Sequence, residues 1–495
     1  MSDQQKSLKQ IMDFRIEKLN TLIKNGINPY PEKFDLTHNT TEIKKNYVKY
    51  EGQDVIVAGR IMALRKMGKA SFVQIADSTG RIQIFIRRDD VGDEIYSNFK
   101  LLDIGDFIGI EGEVFTTKTG EISIKTKILT ILSKSIRPLP VVKEKDGQLF
   151  DSFSDKEQRY RKRHLDLILN SEVRETFQKR STIIRTIRKY LDNQGFLEVE
   201  TPILQPIYGG ANARPFTTYH NALDQELFLR IADELYLKRL IIGGIDRVYE
   251  IAKDFRNEGM DRNHNPEFTM LEFYWAYADY EDCMNLVEDL IHETAKKVDA
   301  LDLKWGDLRI DLSKKFNRIP FLELLTEATG HDLEEFDEEK LKMICKEKDI
   351  EIDDNANLGQ MLDELMSNLI EPSLIEPTFI VDYPKAISPL AKTHRNGNPN
   401  IVERFELFIG GAEFANSFSE LNDPLDQRKR LEEQARLKDL GDEEAQPIDE
   451  DFIQAMECGM PPTGGVGIGI DRLVMLLTGN RWIKDVILFP TLRSE

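Results

Sequence analysis

The feature that most constrains the fold of this chain is a series of short alternating segments near its start. Within residues 52–135, apolar and polar side chains alternate with the period of two that is typical of half-buried β-strands. The segments are VIVAGRIMALR (55–65), ASFVQIAD (70–77), GRIQIFIR (80–87), FIGIEGEVF (107–115) and EISIKTKILTI (121–131). The turn residues Asp77–Gly80 predict a β-hairpin between the second and third strands.

Five strands within about 80 residues match a barrel of the OB type, which commonly binds single-stranded nucleic acid. The third segment has one apolar face and one face of bases, an amide and an aromatic ring. The apolar face holds Ile82, Ile84 and Ile86, and the other holds Arg81, Gln83, Phe85 and Arg87. Aromatic rings stack on unstacked bases, while arginines contact phosphates. The alternative is that Phe85, and Phe72 in the preceding strand, fill the barrel or its end.

The charge of the chain is distributed unevenly along its 495 residues. The total net charge is -20, but residues 1–150 hold 24 Lys and Arg against 20 Asp and Glu, a net charge of +4. Residues 281–380 hold 11 against 26, a net charge of -15. Because contact with phosphates depends on local charge, this distribution permits RNA binding by the front of the chain.

The sequence lacks the signals of a membrane or secreted protein. No run approaches the roughly 20 apolar residues of a membrane helix, and MSDQQKSLKQ has no apolar signal core. The three cysteines, Cys283, Cys345 and Cys458, share no metal-ligand spacing with a histidine. We therefore expect a cytoplasmic protein that has no zinc site and no association with membranes.

The chain length predicts two or three domains. The expected parts are an N-terminal amphipathic helix (5–25) with its lead-in (1–50), the barrel (51–135), a linker (136–155) and a large domain (156–495). Within the large domain, a helix should run from about residue 171 to Asn193, and the strand FLEVETPIL should follow. The acidic, mostly helical block at about 281–380 is expected to be an insertion.

Two segments of the large domain predict a nucleotide site. In FRNEGMDRNHNPEF (255–268), Arg256 follows an apolar strand pattern, and Phe268 begins a second strand. Activation of a carboxylate by ATP builds negative charge at the α-phosphate, where a fixed guanidinium supplies charge and paired donors. In GVGIGIDR (465–472), alternating glycines let the backbone approach a flat ligand, and a helix should start near Arg472. The alternative is that Arg256 is a buried ion-pair partner and Phe268 a core aromatic.

Carboxylates recur close to both segments. In TMLEFYWAYAD (269–279) and ANSFSEL (415–421), the strand period places polar residues on a common face. These residues are Glu272 and Tyr274 in the first strand, and Asn416, Phe418 and Glu420 in the second. Glu234, in DELYLKR, adds a third carboxylate. Carboxylates in a partly dry pocket repel one another unless a cation lies between them, and lysine carries two ammonium groups. The alternative is that these acids are ordinary surface charges.

These segments resemble the motifs of class II aminoacyl-tRNA synthetases of the aspartate/asparagine/lysine subgroup. GFLEVETPIL (195–204) is similar to the first motif, FRNEGMDRNHNPEF to the second and GVGIGIDRLVMLLTG to the third. The resemblance covers nearly the whole chain, including the barrel. It implies an α+β protein with an N-terminal OB-fold barrel and a catalytic domain built on an antiparallel sheet flanked by helices. It also implies a homodimer formed through the first motif.

The resemblance implies roles for individual residues of the nucleotide site. Arg256 and Arg472 are the expected catalytic residues, with Arg256 at the α-phosphate and the substrate carboxylate. Further ATP contacts are expected from Glu258, His264, Phe268, Glu406 and Gly469, with Phe268 stacked on adenine. Mg²⁺ is the expected cofactor, held by Glu406 and Glu413. Arg262 and Asn263 are alternative contacts for the outer phosphates.

DELYLKR, LEFYWAYADY and ELFIGGAEFANSFSELNDP are similar to the lysine-specific branch, of the bacterial type. That branch implies lysine contacts at Gly210, Glu234, Arg256, Glu272, Tyr274, Asn416, Phe418 and Glu420. In the barrel, it implies that Arg65, Phe72, Gln83 and Phe85 bind the anticodon of tRNA(Lys).

The implied reaction has two steps: formation of lysyl-adenylate from ATP with release of pyrophosphate, and transfer of lysine to the 3′-terminal ribose of tRNA with release of AMP. Two other functions compete with it. One is a paralogue that lysylates an acceptor other than tRNA, and the other is a non-catalytic RNA-binding homologue.

Overall fold

The computed structural model describes residues 7–140, 143–145, 148–150, 153–333, 335–353, 356–439 and 446–494. The chain divides into two compact units, Met1–Phe153 and Ser154–Glu495. Among the described helices, none combines the length and the apolar character needed to cross a bilayer.

The first unit contains the predicted barrel. Its strands are β1 (Asp54–Met67), β2 (Ala70–Ala76), β3 (Arg81–Arg87), β4 (Phe107–Thr116) and β5 (Ile122–Ser133). They close in the order β1-β2-β3-β5-β4, with β3 and β5 parallel and the other neighbours antiparallel. The three isoleucines of β3 are fully buried, whereas Gln83 and Phe85 are only partly covered. The predicted alternation is therefore confirmed.

Short helices surround the barrel. They are α1 (Leu8–Lys24), α2 (Thr40–Lys45), α3 (Tyr47–Tyr50), α4 (Arg88–Val91) and α5 (Asp93–Phe99). The helix α1 confirms the predicted N-terminal helix from residue 8, begins with a capping box of Ser7 and Gln10, and ends at Lys24, with Asn25 as its C-cap. The predicted hairpin is confirmed as well, because the Asp77 N–H donates to the Gly80 carbonyl at 3.0 Å. The helices α4 and α5 were not predicted.

The predicted linker (136–155) is not uniformly irregular. It contains a small antiparallel hairpin of β6 (Lys143–Lys145) and β7 (Gln148–Phe150), while residues 141–142, 146–147 and 151–152 lie outside the described residues.

The second unit is built on an eight-stranded sheet with the order β16-β17-β18-β19-β20-β13-β12-β8. Its strands are β8 (Leu197–Glu198), β12 (Arg247–Phe255), β13 (Glu267–Ala276), β16 (Asn317–Pro320), β17 (Thr378–Val381), β18 (Arg404–Ile409), β19 (Ala412–Ser419) and β20 (Thr463–Gly469). All neighbours are antiparallel except β16–β17 and β8–β12. The sheet and its helices confirm the expected α+β architecture.

Helices, a three-stranded sheet and a two-stranded hairpin complete this unit. The first helices of this unit are α6 (Lys156–Arg161), α7 (Arg163–Leu169), α8 (Ser171–Asn193) and α9 (Glu234–Ile242). The remaining helices are α10 (Tyr280–Lys297), α11 (Phe321–Thr329), α12 (Glu338–Glu347), α13 (Leu358–Leu369), α14 (Pro424–Asp439), α15 (Glu450–Glu457), α16 (Ile470–Thr478) and α17 (Ile483–Val486). A sheet of β9 (Leu204–Gln205), β10 (Thr217–His220) and β11 (Gln225–Leu229) and a hairpin of β14 (Asp302–Trp305) and β15 (Leu308–Asp311) lie outside the large sheet.

The helix α8 confirms the predicted helix, but the strand predicted after it is largely wrong. Only β8 and β9 form in FLEVETPIL. The intervening Thr201 uses its N–H and hydroxyl to bind the Glu250 carboxylate, at 3.1 and 2.7 Å, and Pro202 has no N–H for a sheet.

The acidic block at 281–380 does not form a single insertion, contrary to expectation. The buried face of α10, including Cys283, Leu290 and Ile291, belongs to the main core beneath the large sheet. The strands β16 and β17 extend that sheet. Only α11–α13 pack around a separate apolar cluster, because their amphipathic faces meet one another.

Candidate active site

A cavity of about 420 Å³ in the second unit gathers the predicted site residues. The cavity is lined by all of Gly210, Glu234, Arg256, Glu258, His264, Phe268, Glu272, Tyr274, Glu406, Glu413, Asn416, Phe418, Glu420, Gly469 and Arg472. They come from segments far apart in sequence, which the pairing of β13, β20 and β19 brings together.

Arg256 stands where β12 leaves the sheet. Its N–H donates to the Pro266 carbonyl at 3.0 Å, and its Nε donates to the Ile231 carbonyl at 3.4 Å. The guanidinium carbon lies 5.2 Å from the centroid of the Phe268 ring. Among the described residues, no carboxylate oxygen is within 4 Å of the guanidinium nitrogens. Arg256 and Phe268 are half-buried and line the cavity, so neither is a core residue.

Arg472 joins the loop after β12 to the strand β19. Its Nη1 donates to the carbonyl and the carboxylate of Glu413, at 2.8 and 3.2 Å, and its Nη2 lies 3.1 Å from His264 Nε2. The Nδ1 of His264 lies 2.8 Å from the Asp261 carboxylate. Because that carboxylate only accepts, Nδ1 carries the hydrogen and Nε2 accepts from Arg472.

The same loop contains Arg262 and Asn263, the two alternative contacts for the outer phosphates of ATP. The Nε of Arg262 donates to the Arg481 carbonyl at 2.9 Å, and the Ile483 N–H donates to the Arg262 carbonyl at 2.9 Å. Asn263 lines the cavity, whereas Arg262 does not. Of the two, Asn263 therefore has the better position to contact a ligand.

The carboxylates that were assigned to lysine are buried. Glu234, Glu272 and Glu420 have exposed fractions of 6%, 6% and 1%, so the interpretation as ordinary surface charges is wrong. Tyr274 donates to Glu272 at 3.2 Å, and the Asp233 N–H donates to the same carboxylate at 3.2 Å. Burial raises the pKa of Glu272 to about 8, with Asp254 and Glu234 adding to the shift. Burial also raises the pKa of Glu234 and of Glu420.

Gly465 has a steric role that differs from the one predicted for the glycines of β20. A Cβ at this position would collide with the Glu420 carboxylate and lie 2.5 Å from a ring carbon of Tyr274. The glycine thus makes room for the acidic side chains, in addition to any approach of the backbone to a flat ligand.

Glu406 and Glu413 lie on the adjacent strands β18 and β19. Glu406 accepts from Tyr383 at 2.8 Å and from Arg404 at 2.6 Å. Burial raises the pKa of Glu406 to about 7, Arg404 opposes the shift, and Glu413 adds to it. Two carboxylates that repel each other at the edge of an open cavity are a donor set that suits a hard cation such as Mg²⁺.

The predicted anticodon residues form a patch on the barrel of the first unit. Arg65 pairs across the sheet with Phe72, which pairs with Phe85. The ring centroids of Phe72 and Phe85 are 5.1 Å apart, and Gln83 donates to the Ser123 hydroxyl at 2.9 Å. Both rings are half-buried, while the interior is filled by residues such as Val73 and Ile84, so the rings do not fill the barrel.

Comparison with known proteins identifies the family. The family described as class II tRNA synthetases (D, K and N) matches residues 155–493, and the OB-fold nucleic acid binding domain matches residues 55–132. The chain belongs to the class II tRNA synthetases of this group.

The sequence similarity to named relatives covers both units of this class II synthetase. Lysine–tRNA ligases from two strains of Porphyromonas gingivalis are 50% identical over 491 residues, which cover 97% of this chain and 84% of the relatives. The lysine–tRNA ligase of Christiangramia forsetii is 49% identical over 492 residues, covering 97% of this chain and 86% of the relative.

The synthetase site also contains residues that the sequence patterns did not indicate. The Asp471 carboxylate accepts from the Thr269 N–H at 2.7 Å and pairs with Arg180 at 2.6 Å, which ties α16 to β13 and α8. Lys238 pairs with both Glu234 and Glu420. The spacing of four between Glu234 and Lys238 on one helix was a signal for the first of these pairs.

A second layer of acids lies behind Glu272. One carboxylate oxygen from each of Asp233, Asp254 and Glu272 lies within 4.8 Å of the others. Arg230 pairs with Asp233 at 2.9 Å and with Asp254 at 3.4 Å. Burial raises the pKa of Asp254 to about 6, with Arg230 opposing the shift. This layer was not predicted, since Asp233 and Asp254 stand next to the predicted residues without a distinguishing pattern.

Proposed function

We propose that this class II synthetase ligates lysine to tRNA(Lys) through a lysyl-adenylate. The observation that supports this function best is that three buried carboxylates share one cavity with the two arginines expected to bind ATP. A buried acidic pocket needs a cationic ligand, and the relatives carry the name lysine–tRNA ligase.

In the first step, an oxygen of the lysine carboxylate attacks the α-phosphorus of ATP, and the bond to pyrophosphate breaks. Arg256 has no carboxylate partner among the described residues, so its guanidinium is available for the substrate carboxylate and the α-phosphate. Arg472 and His264 belong to the nucleotide side, and Phe268 offers its ring to adenine. Positioning and charge neutralisation carry most of such a reaction.

In our assignment, the two ends of lysine meet different acids. Glu234 and the Gly210 carbonyl bind the α-ammonium group, while Glu272, Tyr274 and Glu420 bind the ε-ammonium group. Asn416 and Phe418 complete the pocket, and Glu258 and Gly469 belong to the ATP side.

The residues Glu406 and Glu413 would hold Mg²⁺. When bound, the ion neutralises negative charge on the leaving pyrophosphate. Arg404 and Tyr383 keep the Glu406 carboxylate oriented toward that role through the contacts described above.

In the second step, the 3′-terminal ribose hydroxyl of tRNA attacks the lysyl carbonyl, and AMP leaves. The barrel residues Arg65, Phe72, Gln83 and Phe85 are proposed to bind the anticodon. The half-exposed rings support stacking on bases, and Gln83 offers hydrogen bonds to base edges.

We also propose a homodimer in the cytoplasm. The first motif exposes Leu197, Ile203 and Leu204 by 52%, 43% and 48%, an apolar surface that a second copy could cover. All three cysteines are free, which fits a reducing compartment.

The test is ATP–pyrophosphate exchange with each of the twenty amino acids, followed by charging of tRNA(Lys). Exchange should depend on lysine, and the charged product should be lysyl-tRNA. Lysine-dependent exchange without charging would favour the paralogue that uses another acceptor. Absence of exchange with every amino acid would favour the non-catalytic homologue, which the retained Arg256 and Arg472 make the less favoured function.

A further inference from the structure

Lys238 places a cation inside the acidic pocket. Its Nζ lies 2.5 Å from a Glu234 oxygen and forms a second ion pair with Glu420. The same nitrogen lies 5.4 Å from the centroid of the Phe418 ring. The side chain of Lys238 is fully buried, so water does not screen these contacts. All three partners belong to the proposed lysine site, on which this inference rests.

The arrangement fixes how much negative charge the pocket presents. Glu234, Glu272 and Glu420 are three acids, and Lys238 contributes one positive charge. Lysine would add two ammonium groups to this set, while its carboxylate is assigned to Arg256. Behind Glu272, Arg230 pairs with the second layer of acids rather than with these three.

The carboxylates around Lys238 have few other partners. Apart from Lys238, no described residue donates a hydrogen bond to Glu420. The nearby groups that titrate are Glu234, Glu272, Tyr274 and Cys283. Arg404 is the other cation that acts on Glu234. A buried carboxyl that loses its cation takes up a proton.

We propose that Lys238 is a positioning residue that determines specificity, because its ion pairs favour the ionised forms of Glu234 and Glu420 and aim both side chains into the pocket before lysine arrives. With this cation in place, the carboxyl group that meets the ε-ammonium group of lysine ionises more readily. Without it, the protonated form is favoured more strongly, and lysine must displace the proton before it can bind.

The test compares Lys238→Met with Arg239→Met, which removes a positive charge from the next position of the same helix. Arg239 pairs with Asp449 and does not line the cavity, so it is a matched control. Pyrophosphate exchange of the full chain is measured at pH 7.0 and 8.5, with lysine and with norleucine, which lacks the ε-ammonium group.

For Lys238→Met we expect the KM for lysine to rise about tenfold or more at pH 7.0, because a buried carboxyl that has lost its cation takes up a proton that lysine must displace. The KM for ATP should not change, and the defect should shrink at pH 8.5. The preference for lysine over norleucine should fall in Lys238→Met and not in Arg239→Met.

Two results would overturn the inference: a lysine KM equal to or below that of the wild type, or parallel increases in the KM values for lysine and ATP at both pH values. If Lys238→Met does not fold, Lys238→Arg keeps the charge and should retain the wild-type pH dependence, whereas a changed pH dependence would contradict the inference. Failure of the wild type to use lysine would instead reject the proposed function.

Discussion

The Nη2 of Arg472 lies 3.1 Å from the Nε2 of His264, a contact that joins the helix after the glycine-rich strand to the loop after Arg256. Asp261 holds the other ring nitrogen of the histidine at 2.8 Å. The guanidinium that is proposed to cover ATP is thus oriented by the loop that is proposed to surround the same nucleotide.

His264→Ala should weaken the binding of ATP and leave the binding of lysine unchanged, because it removes a hydrogen bond that orients Arg472. Because this contact is exposed to solvent, the hydrogen bond should contribute only about 0.5–1.5 kcal/mol, so the KM for ATP should rise about 2- to 10-fold. His331→Ala is the control, because His331 pairs with Glu347 and does not line the cavity. An equal rise in the KM values for ATP and lysine in pyrophosphate exchange would contradict the assignment.

Glu420→Gln should weaken the binding of lysine far more than the binding of ATP. The substitution keeps the shape of the side chain but removes its charge, and hydrogen bonds to charged groups contribute about 1.5–3 kcal/mol. The KM for lysine in pyrophosphate exchange should therefore rise about 10- to 100-fold. Glu433→Gln, on the exposed face of α14, should behave like the wild type. Comparable losses for lysine and ATP would mean that Glu420 acts through the fold and does not bind lysine.

Local sequence patterns predicted the parts of this protein that depend on neighbouring residues. The alternation of Ile82, Ile84 and Ile86 with polar residues indicated a strand with one buried face, and the structure confirms it. The same period of two predicted that Glu272 and Tyr274 share a face of β13, and the hydrogen bond between them confirms it. The motifs near Arg256 and Arg472 indicated the family, which the comparisons confirm.

Contacts between distant segments could not be predicted in this way. Lys238 meets Glu420 only because the apolar face of α9 packs on β12 and β13 of the large sheet, and no local period encodes that packing. The predicted strand after α8 failed for a similar reason, since the side chain of Glu250 captures the backbone of Thr201. The block 281–380 was assigned by its acidity, although the buried face of α10 is part of the main core.

The pKa of Glu272 predicts an unusual dependence of stability on pH. Burial raises this pKa from its ordinary value of 4.5 to about 8, so the folded state binds the proton more tightly than the unfolded state. The contribution of the group is therefore fully present below pH 4.5 and is lost as the pH rises to about 8. At pH 8 the loss amounts to several kcal/mol, since each pKa unit corresponds to about 1.4 kcal/mol.

Glu272→Gln should remove this pH-dependent loss from the ligand-free enzyme. Thermal unfolding should show little difference from the wild type at pH 5, and the variant should be the more stable of the two at pH 8. Lysine should stabilise the wild type at pH 8 more than the variant, because its ammonium group compensates the ionised carboxylate. A constant difference between the two proteins from pH 5 to pH 8 would contradict the raised pKa of Glu272.

Phe72→Ala should impair use of tRNA without affecting activation of lysine. Stacking of a base on an aromatic ring contributes about 1–3 kcal/mol, so the KM for tRNA(Lys) in charging should rise about 5- to 100-fold. Met67→Ala removes an exposed apolar side chain of the same barrel and serves as the control. Loss of lysine-dependent pyrophosphate exchange in Phe72→Ala would show that the effect is on folding and not on tRNA.

Gly465→Ala should close the lysine pocket from the side of the sheet. The added Cβ would collide with Glu420 and Tyr274, whereas at Gly467 the nearest atom is the flexible end of Met270, at 3.3 Å. We expect the KM for lysine to rise about tenfold or more in Gly465→Ala, because overpacking costs about 1–3 kcal/mol where the neighbours cannot move. In Gly467→Ala, where the neighbour is flexible, the KM for lysine should change by no more than about threefold. Pyrophosphate exchange with lysine as the varied substrate measures both. Equal changes in the KM for lysine would contradict this expectation. They would show that both glycines are needed for the backbone conformation of β20, and that the absence of a side chain at Gly465 does not make room for the acids.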